Sequence, residues 1–124
     1  NIELLIENNI HFKGDKLAIT SLVYNLLENA EKYSTNPAQI VVELKRVSNN
    51  IELNFSDYGF GIETSERNKV FEKFYRVGNE ETRRTKGTGL GLYIVKKVVN
   101  MHRGTIDIKS NNPTGTIFSI KLPI

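Results

Sequence analysis

Apolar residues recur at helical spacing in two stretches of the chain. In the first stretch the intervals are three and four residues, the period of one face of an α-helix. Asp15 is a suitable N-cap, and we expect this helix to end before Asn36-Pro37 because the residue before a proline avoids the α region. A second helix is predicted from Gly89 to His102, with Gly104 at its C-terminus. The apolar positions are Ile19, Leu22, Val23, Leu26, Leu27 and Ala30 in the first helix, and Leu90, Ile94, Val95, Val98 and Val99 in the second.

Alternating or continuous apolar runs elsewhere predict strands. Ile40–Val47 and Ile51–Phe55 flank a tight turn at residues 48–50 and form one hairpin. Thr105–Lys109 and Gly115–Leu122 form a second hairpin, turning at residues 111–113. Three segments complete the prediction: two short strands in residues 2–12, broken near residues 7–9, a short helix at Thr64–Val70, and a polar loop at residues 75–88.

This order of elements predicts the fold class. Consecutive hairpins give antiparallel pairs, and helices can cover one face of such a sheet. We therefore expect a single α+β domain over residues 1–124. It is a two-layer sandwich in which a mixed, mostly antiparallel sheet is covered on one face by about three helices. A doubly wound parallel sheet is not expected.

Composition narrows the classes of function. The chain has 124 residues, 39% hydrophobic and 25% charged, and no cysteine, which excludes disulfides, zinc-thiolate sites and a cysteine nucleophile. No apolar run approaches the length of a membrane span, and residues 1–4 do not resemble a signal peptide. The net charge of +3 and the lack of interleaved aromatic residues argue against nucleic-acid binding. The basic residues that cluster in the polar loop are better explained by a polyphosphate ligand, and they are Arg76, Arg83, Arg84 and Lys86.

Polar residues form a stripe along the first predicted helix. Asn25, Asn29 and Lys32 recur at i, i+4 and i+7, beside the apolar face. Asparagine is a poor helix former, so two of them one turn apart need a reason. Either their amides bond neighbouring backbone, or their carbonyl oxygens bind a hard cation such as Mg²⁺, with phosphates supplying the negative charge.

Two glycine-rich segments are candidate ligand sites. Asp57-Tyr58-Gly59-Phe60-Gly61-Ile62 follows a predicted strand; Asp57 either forms a local turn with the backbone or accepts a hydrogen bond from an exocyclic amine such as that of adenine. Gly87-Thr88-Gly89-Leu90-Gly91-Leu92 opens the second predicted helix, where free N–H groups and the helix dipole favour phosphate. Its third glycine does not have the spacing of the dinucleotide fingerprint, and the segment lacks the Gly-Lys-Ser/Thr of a Walker A loop.

Together with two further motifs, these segments resemble the boxes of the histidine kinases, members of the GHKL superfamily with its Bergerat ATP-binding fold. The resemblance covers nearly the whole chain, and the motifs occur in the family's order. They are an N box at residues 25–34, a G1 box at residues 57–62, an F box at residues 71–76, a G2 box at residues 87–92, and a final Gly115-Thr116-Ile117-Phe118.

The resemblance implies a role for each residue. Asn29 would bind Mg²⁺ with Asn25 beside it, Lys32 and Arg76 would contact phosphates, and Tyr33 would pack on the adenine or ribose. Asp57 would accept from the adenine amino group, with Thr116 holding Asp57 or a water. The remaining predicted contacts are Gly59, Gly61 and Ile62 along the base, Gly87, Thr88, Gly89, Leu90, Gly91 and Leu92 at the phosphates, and Phe74 at the base of an ATP lid formed by residues 75–88. Phe71, Phe74 and Ile62 have an alternative interpretation as core residues.

The implied reaction is transfer of the γ-phosphoryl group of Mg-ATP to a histidine. Asn25, Lys32 and Arg76 are the predicted catalytic residues, since such transfer depends mainly on positioning and charge stabilisation. His11 and His102 lack the acidic helical context of a phosphoacceptor. We therefore expect the acceptor on separate dimerisation helices of the same kinase and a response regulator downstream. We also expect a monomeric, cytoplasmic domain of a parent kinase that is anchored in the inner or plasma membrane.

Three alternatives are less consistent with the motifs. A GHKL ATPase would carry a glutamate one turn before the metal-binding asparagine, but Asn25 stands there and an amide cannot act as a general base. The N and F boxes favour histidine kinases over an anti-sigma-type serine kinase. A nucleotide-binding interaction module without catalysis is disfavoured because every nucleotide motif is intact.

Overall fold

The computed structural model describes residues 1–34, 38–75 and 90–124. Within these ranges the chain forms five strands, two α-helices and one short 3₁₀ helix. Their bounds are β1 (Ile2–Ile6), α1 (Lys16–Lys32), β2 (Ile40–Val47), β3 (Asn50–Asp57), the 3₁₀ helix (Thr64–Glu66), α2 (Gly91–Met101), β4 (Thr105–Ser110) and β5 (Thr116–Pro123).

The five strands form one sheet in the order β1-β2-β3-β5-β4. β1 runs parallel to β2, and every other neighbouring pair is antiparallel. Both predicted hairpins are confirmed, and the turn between β2 and β3 places Ser48 at a positive φ of 58°. The predicted α+β sandwich with a mixed, mostly antiparallel sheet is therefore confirmed.

Both α-helices cover the same face of the sheet. Alternate residues of each strand point to this face and form the core with the apolar stripes of the helices. The fully buried side chains at its centre are Leu22, Leu26, Val95, Val99, Phe55, Phe118 and Ile120. Neither described α-helix is long and apolar enough to cross a lipid bilayer.

Two predicted elements are shorter than expected. Residues 2–12 contain one strand, not two, because the chain turns at Asn9, which has a φ of 61°. Phe12 lies outside the sheet and packs against the core and the His102 ring. The helix predicted at Thr64–Val70 is a single 3₁₀ turn, Thr64–Glu66, so the described residues contain two α-helices and this turn.

The predicted cap at the start of α1 is confirmed, and the glycine predicted to end α2 is wrong. The Asp15 side chain accepts a hydrogen bond from the Ala18 N–H at 3.0 Å, as a capping residue does. At the end of α2 the left-handed residue is Arg103, with a φ of 60°, rather than Gly104. Gly104 is needed for a different reason: a Cβ there would lie 2.4 Å from the carbonyl oxygen of Lys121 on β5.

His102 joins the end of α2 to the start of α1. Its Nε2 accepts a hydrogen bond from the Asp15 N–H at 3.1 Å, which leaves Nδ1 as the donor nitrogen of the ring. Nδ1 lies 2.8 Å from the Val98 carbonyl oxygen, to which it donates. The His102 side chain therefore connects the two helices.

Candidate functional site

Four segments meet at one end of the sheet. They are the C-terminal half of α1, the loop after β3, the first turn of α2, and the turn before β5. The sequence separates them by tens of residues, and the glycine contacts described below bring them together. Most of the predicted site residues in the described part of the chain lie in these four segments.

Asp57 is the buried acidic residue of this site. It is the last residue of β3 and follows Phe55 by two positions, so its side chain lies on the helix-covered face. Only 2% of its surface is exposed. Its Oδ1 accepts two hydrogen bonds, from the Gly59 N–H at 3.0 Å and from the Thr116 N–H at 3.2 Å. Both donors bond Oδ1. Within residues 1–34, 38–75 and 90–124, no donor bonds Oδ2.

The pKa of Asp57 is raised above that of an ordinary aspartate. Burial away from water is the largest cause, and the hydrogen bonds from Gly59 and Thr116 act in the opposite direction without cancelling it. A buried carboxylate that keeps one oxygen open is therefore energetically costly in the absence of a ligand. A hydrogen-bond donor such as an exocyclic amine would offset that cost.

Gly59 and Gly61 are required by neighbouring backbone. A Cβ on Gly59 would lie 1.6 Å from the Tyr33 carbonyl oxygen, so only glycine allows the end of α1 to lie against this loop. Gly61 has a φ of 76°, and a Cβ there would lie 3.3 Å from the Gly115 carbonyl oxygen. In the structure these two glycines let three segments meet, namely the end of α1, the loop after β3 and the turn before β5. That they also let the chain pass under a base stays a prediction.

Asn25 lies beside the start of α2. Its Nδ2 donates to the Ser21 carbonyl oxygen at 2.8 Å and to the Ser21 hydroxyl oxygen at 3.2 Å. A Cβ on Gly91 would lie 3.2 Å from Asn25 Oδ1, so the amide oxygen faces the first turn of α2. The interpretation in which the amide bonds neighbouring backbone is therefore confirmed for Asn25, and cation binding by its oxygen stays a prediction.

Asn29 and Lys32 continue the stripe along α1. The Asn29 side chain is half-buried and has no hydrogen-bond partner among the residues that the structure describes. Lys32 Nζ lies 3.6 Å from Glu28 Oε1 in an i,i+4 pair. The two side chains are 31% and 56% exposed, so this pair is weak and a phosphate could displace Glu28. Two amide oxygens on one helix face match the oxygen preference of Mg²⁺.

The first turn of α2 has the properties of an anion site. The helix begins at Gly91, with no acidic residue in its first turn and no side-chain hydrogen bond from the capping position, Leu90. Its dipole and its first N–H groups favour a negative charge. Leu92 packs partly buried against the core, which anchors this turn.

The hydrophobic members of the predicted site separate into three environments. Ile62 is 8% exposed and belongs to the core, and Phe71 packs against that core. Phe74 is 64% exposed, so its alternative interpretation as a core residue is wrong. Its φ of 67° is rare for an aromatic residue, and Lys73 Nζ lies 5.4 Å from its ring centroid.

Tyr33 makes an edge-to-face contact with Phe60, with centroids 6.1 Å apart.

Some predicted site residues lie outside the described residues. They are Arg76, Gly87, Thr88 and Gly89, together with nearly all of the predicted ATP lid. Tyr75, the first residue of that segment, donates from its hydroxyl to Glu66 Oε1 at 2.6 Å.

Sequence analysis missed the role of several residues at this site. Ser21 accepts from Asn25, and Asn111 donates from Nδ2 to the Asp57 carbonyl oxygen at 2.8 Å. Thr114 donates to the Tyr58 carbonyl oxygen at 3.3 Å. The sequence pattern places Asn111 only in a turn. Its position four residues before Gly115-Thr116 is the one feature of the sequence that could have indicated a contact with the Asp57 segment.

Comparison with known proteins gives a consistent result. Residues 14–124 match the family described as histidine kinase-, DNA gyrase B-, and HSP90-like ATPase. Sensor protein CiaH of Streptococcus pneumoniae is 39% identical over 120 residues, covering 95% of this chain and 27% of CiaH. Sensor-like histidine kinase SenX3 of Mycolicibacterium smegmatis is 38% identical over 110 residues, covering 89% of this chain and 29% of SenX3. The chain thus spans little more than a quarter of these relatives' length.

Solved structures agree with the sequence comparison. The mycobacterial sensor histidine kinase MprB matches with a TM-score of 0.86 at 34% identity, covering 98% of this chain and 80% of that chain. The catalytic domain of the histidine kinase ThkA matches with a TM-score of 0.83, and at 23% identity it supports the fold alone.

Proposed function

The chain belongs to the histidine kinase-, DNA gyrase B-, and HSP90-like ATPase family, as an ATP-binding domain of the sensor histidine kinase type, and we propose that it donates the γ-phosphoryl group of Mg-ATP to a histidine on a separate phosphoacceptor domain. The observation that supports this proposal best is the buried Asp57 carboxylate. Two backbone donors hold its Oδ1, while Oδ2 remains available for the adenine amine. The phosphates would then extend toward Asn25 and the first turn of α2.

Mg²⁺ would be held by the amide oxygens of Asn29 and Asn25. The donor set suits this ion, because neutral amide oxygens leave phosphate oxygens to supply the negative charge. When bound, Mg²⁺ would stabilise the charge that develops on the γ-phosphate. Asn25 fits the site because its Oδ1 already faces Gly91, the first residue of α2.

The remaining phosphate contacts would come from Lys32, Arg76 and the G2 segment, residues 87–92. Lys32 would exchange its weak pair with Glu28 for a phosphate oxygen. Tyr33, Gly59, Gly61, Ile62, Phe74 and Thr116 would line or support the base and ribose. These roles follow from the family resemblance and from the positions of the described residues.

Hydrolysis of ATP by water is a less suitable reaction for this site. A general base would be needed near Asn25, whose own amide nitrogen donates to Ser21. Glu28 and Glu31 line a groove of about 500 Å³ between α1 and β1, and Glu28 is paired with Lys32. Neither carboxylate is positioned to activate a water at the start of α2.

We further propose that the domain is part of a longer kinase, that it acts in the cytoplasm, where ATP is present, and that it is monomeric when isolated. Its partners would be the dimerisation and phosphoacceptor helices of that kinase and, downstream, a response regulator. The length of the curated relatives is consistent with additional domains, since the chain aligns with only 27% of CiaH.

A calorimetric titration of the domain with ADP tests nucleotide binding. We expect a dissociation constant of about 1–10 μM in the presence of Mg²⁺ and weaker binding in its absence. Chelation with EDTA, followed by addition of excess Mg²⁺, serves as the control for the metal. Binding that is absent, or that is identical with and without Mg²⁺, would contradict the proposed metal site.

A further inference from the structure

The turn between β4 and β5, residues 111–115, is bonded to the segment that carries Asp57. The ladder between β3 and β5 ends at the pair Ser56–Ile117, so the Asp57 carbonyl lies beyond the last pair of this ladder, while Asp57 pairs with Ile40 of β2 on its other side. Asn111 supplies the missing donor, because its Nδ2 lies 2.8 Å from that carbonyl oxygen. The Asn111 backbone N–H donates to the Gly115 carbonyl oxygen at 3.0 Å, which holds the turn closed.

Further contacts fix the same segment. The Thr114 hydroxyl donates to the Tyr58 carbonyl oxygen at 3.3 Å, and the Thr116 N–H donates to Asp57 Oδ1. Gly115 has a φ of 113°, and a Cβ there would lie 2.1 Å from the Asp57 carbonyl oxygen. The turn therefore contacts both the backbone and the carboxylate of Asp57.

We propose that Asn111 is a positioning residue for nucleotide recognition, which fixes the backbone of Asp57 so that Oδ2 is held in place for the base. This inference rests on the proposed function, in which Asp57 accepts from the adenine amino group. A hydrogen bond to a buried carboxylate requires accurate placement of the oxygen. Asn111 therefore contributes to adenine selectivity as well as to affinity, although it does not touch the nucleotide.

The test variant is Asn111→Asp, which keeps the shape of the side chain and removes its N–H donor. The variant retains the oxygen that accepts from the Asn112 N–H at 2.9 Å. Asn112→Asp is the matched control, because it makes the same change of charge one residue away on an exposed side chain that has no polar contact with the described residues. Asn111→Ala is a second variant, without added charge, and thermal melting verifies that each protein is folded.

Affinities for ADP and for inosine diphosphate, which lacks the exocyclic amine, are measured for each protein by calorimetry. For Asn111→Asp and Asn111→Ala we expect ADP binding to weaken about tenfold, as for loss of one well-placed hydrogen bond, with little change for inosine diphosphate. Asn112→Asp should bind as the wild type does. In an Asp57→Asn background, Asn111→Ala should have almost no further effect, because the two residues act through one contact.

The outcomes separate the inference from the proposed function. A wild-type domain that binds no ADP contradicts the proposed function, whatever the variants do. A wild type that binds ADP, with both Asn111 variants equally tight, overturns the inference alone. An equal loss of affinity for both nucleotides, or additive losses in the double variant, would show that Asn111 has only a structural role, and would also overturn it.

Discussion

Replacing Asp57 with asparagine changes one atom of the proposed adenine contact. The asparagine Oδ1 can still accept from the Gly59 and Thr116 N–H groups, which both bond Oδ1 in the wild type. At the position of Oδ2 the variant places an amide nitrogen, which donates rather than accepts. The loop is therefore preserved, while the group that faces the adenine amine has the wrong polarity.

The expected loss can be derived from this contact. A hydrogen bond to a charged group contributes about 1.5–3 kcal/mol, so ADP should bind about 10- to 150-fold more weakly to Asp57→Asn. The unliganded variant should be at least as stable as the wild type. The reason is that burial raises the pKa of Asp57 despite its two hydrogen bonds, and a neutral amide avoids that cost of burial.

The stability of the fold and the affinity for ADP are expected to change with pH in opposite directions. Because the folded-state pKa of Asp57 is raised, its contribution to stability is fully present below the ordinary aspartate pKa and is lost as the pH rises through the folded-state value. ADP binding shows the opposite trend, since the ionised carboxylate is the acceptor. Affinity should therefore fall as the pH is lowered through the raised pKa in the wild type, and Asp57→Asn should lack this transition.

The assay combines calorimetric titration with ADP and urea unfolding for both proteins at several pH values. For Asp57→Asn we expect weaker ADP binding together with an unchanged or greater free energy of unfolding. Two results would refute it: a variant that binds ADP as tightly as the wild type, or a loss of binding that is fully explained by unfolding.

Three further predictions follow from individual contacts. Asn29→Ala should reduce ADP affinity in the presence of Mg²⁺ to the level measured without Mg²⁺, and an unchanged response to Mg²⁺ in calorimetry would exclude Asn29 as a ligand. Gly59→Ala should lower the urea midpoint by an amount equivalent to about 3 kcal/mol or more, because the added Cβ would lie 1.6 Å from the Tyr33 carbonyl oxygen. A midpoint equal to that of the wild type would mean that this close approach can relax at little cost. His102→Ala should destabilise the fold by about 1–2 kcal/mol, since it removes the acceptor for the Asp15 N–H; an unfolding free energy within error of the wild type would show that water replaces the ring.

Local patterns predicted the elements that depend on local physics. The apolar stripe from Ile19 to Ala30 and the capping residue Asp15 define α1 because periodicity and capping are properties of a single segment. The same holds for the turn at Ser48. The motifs predicted Asp57, Asn25 and Gly91 as site residues, and in the structure these residues lie around one end of the sheet.

Features that depend on distant contacts could not be predicted in this way. The parallel pairing of β1 with β2 joins residues 38 positions apart, and no local signal encodes it. Arg103 adopts the left-handed conformation at the end of α2, and Gly104 beside it is needed for the close approach to Lys121 of β5, a contact that the local sequence does not reveal. Asn111 bonds the Asp57 carbonyl across 54 residues, so the sequence shows only a polar turn residue.

The most direct test of the central claim is a phosphoryl-transfer reaction. The domain is incubated with Mg²⁺ and γ-³²P-labelled ATP, together with a separately expressed domain that carries the acceptor histidine. The account predicts a label on the acceptor that is labile in acid and stable in base, as a phosphohistidine is, and that is strongly reduced with Asp57→Asn. Nucleotide binding without any label on the histidine domain, or release of free phosphate alone, would contradict the proposed transfer.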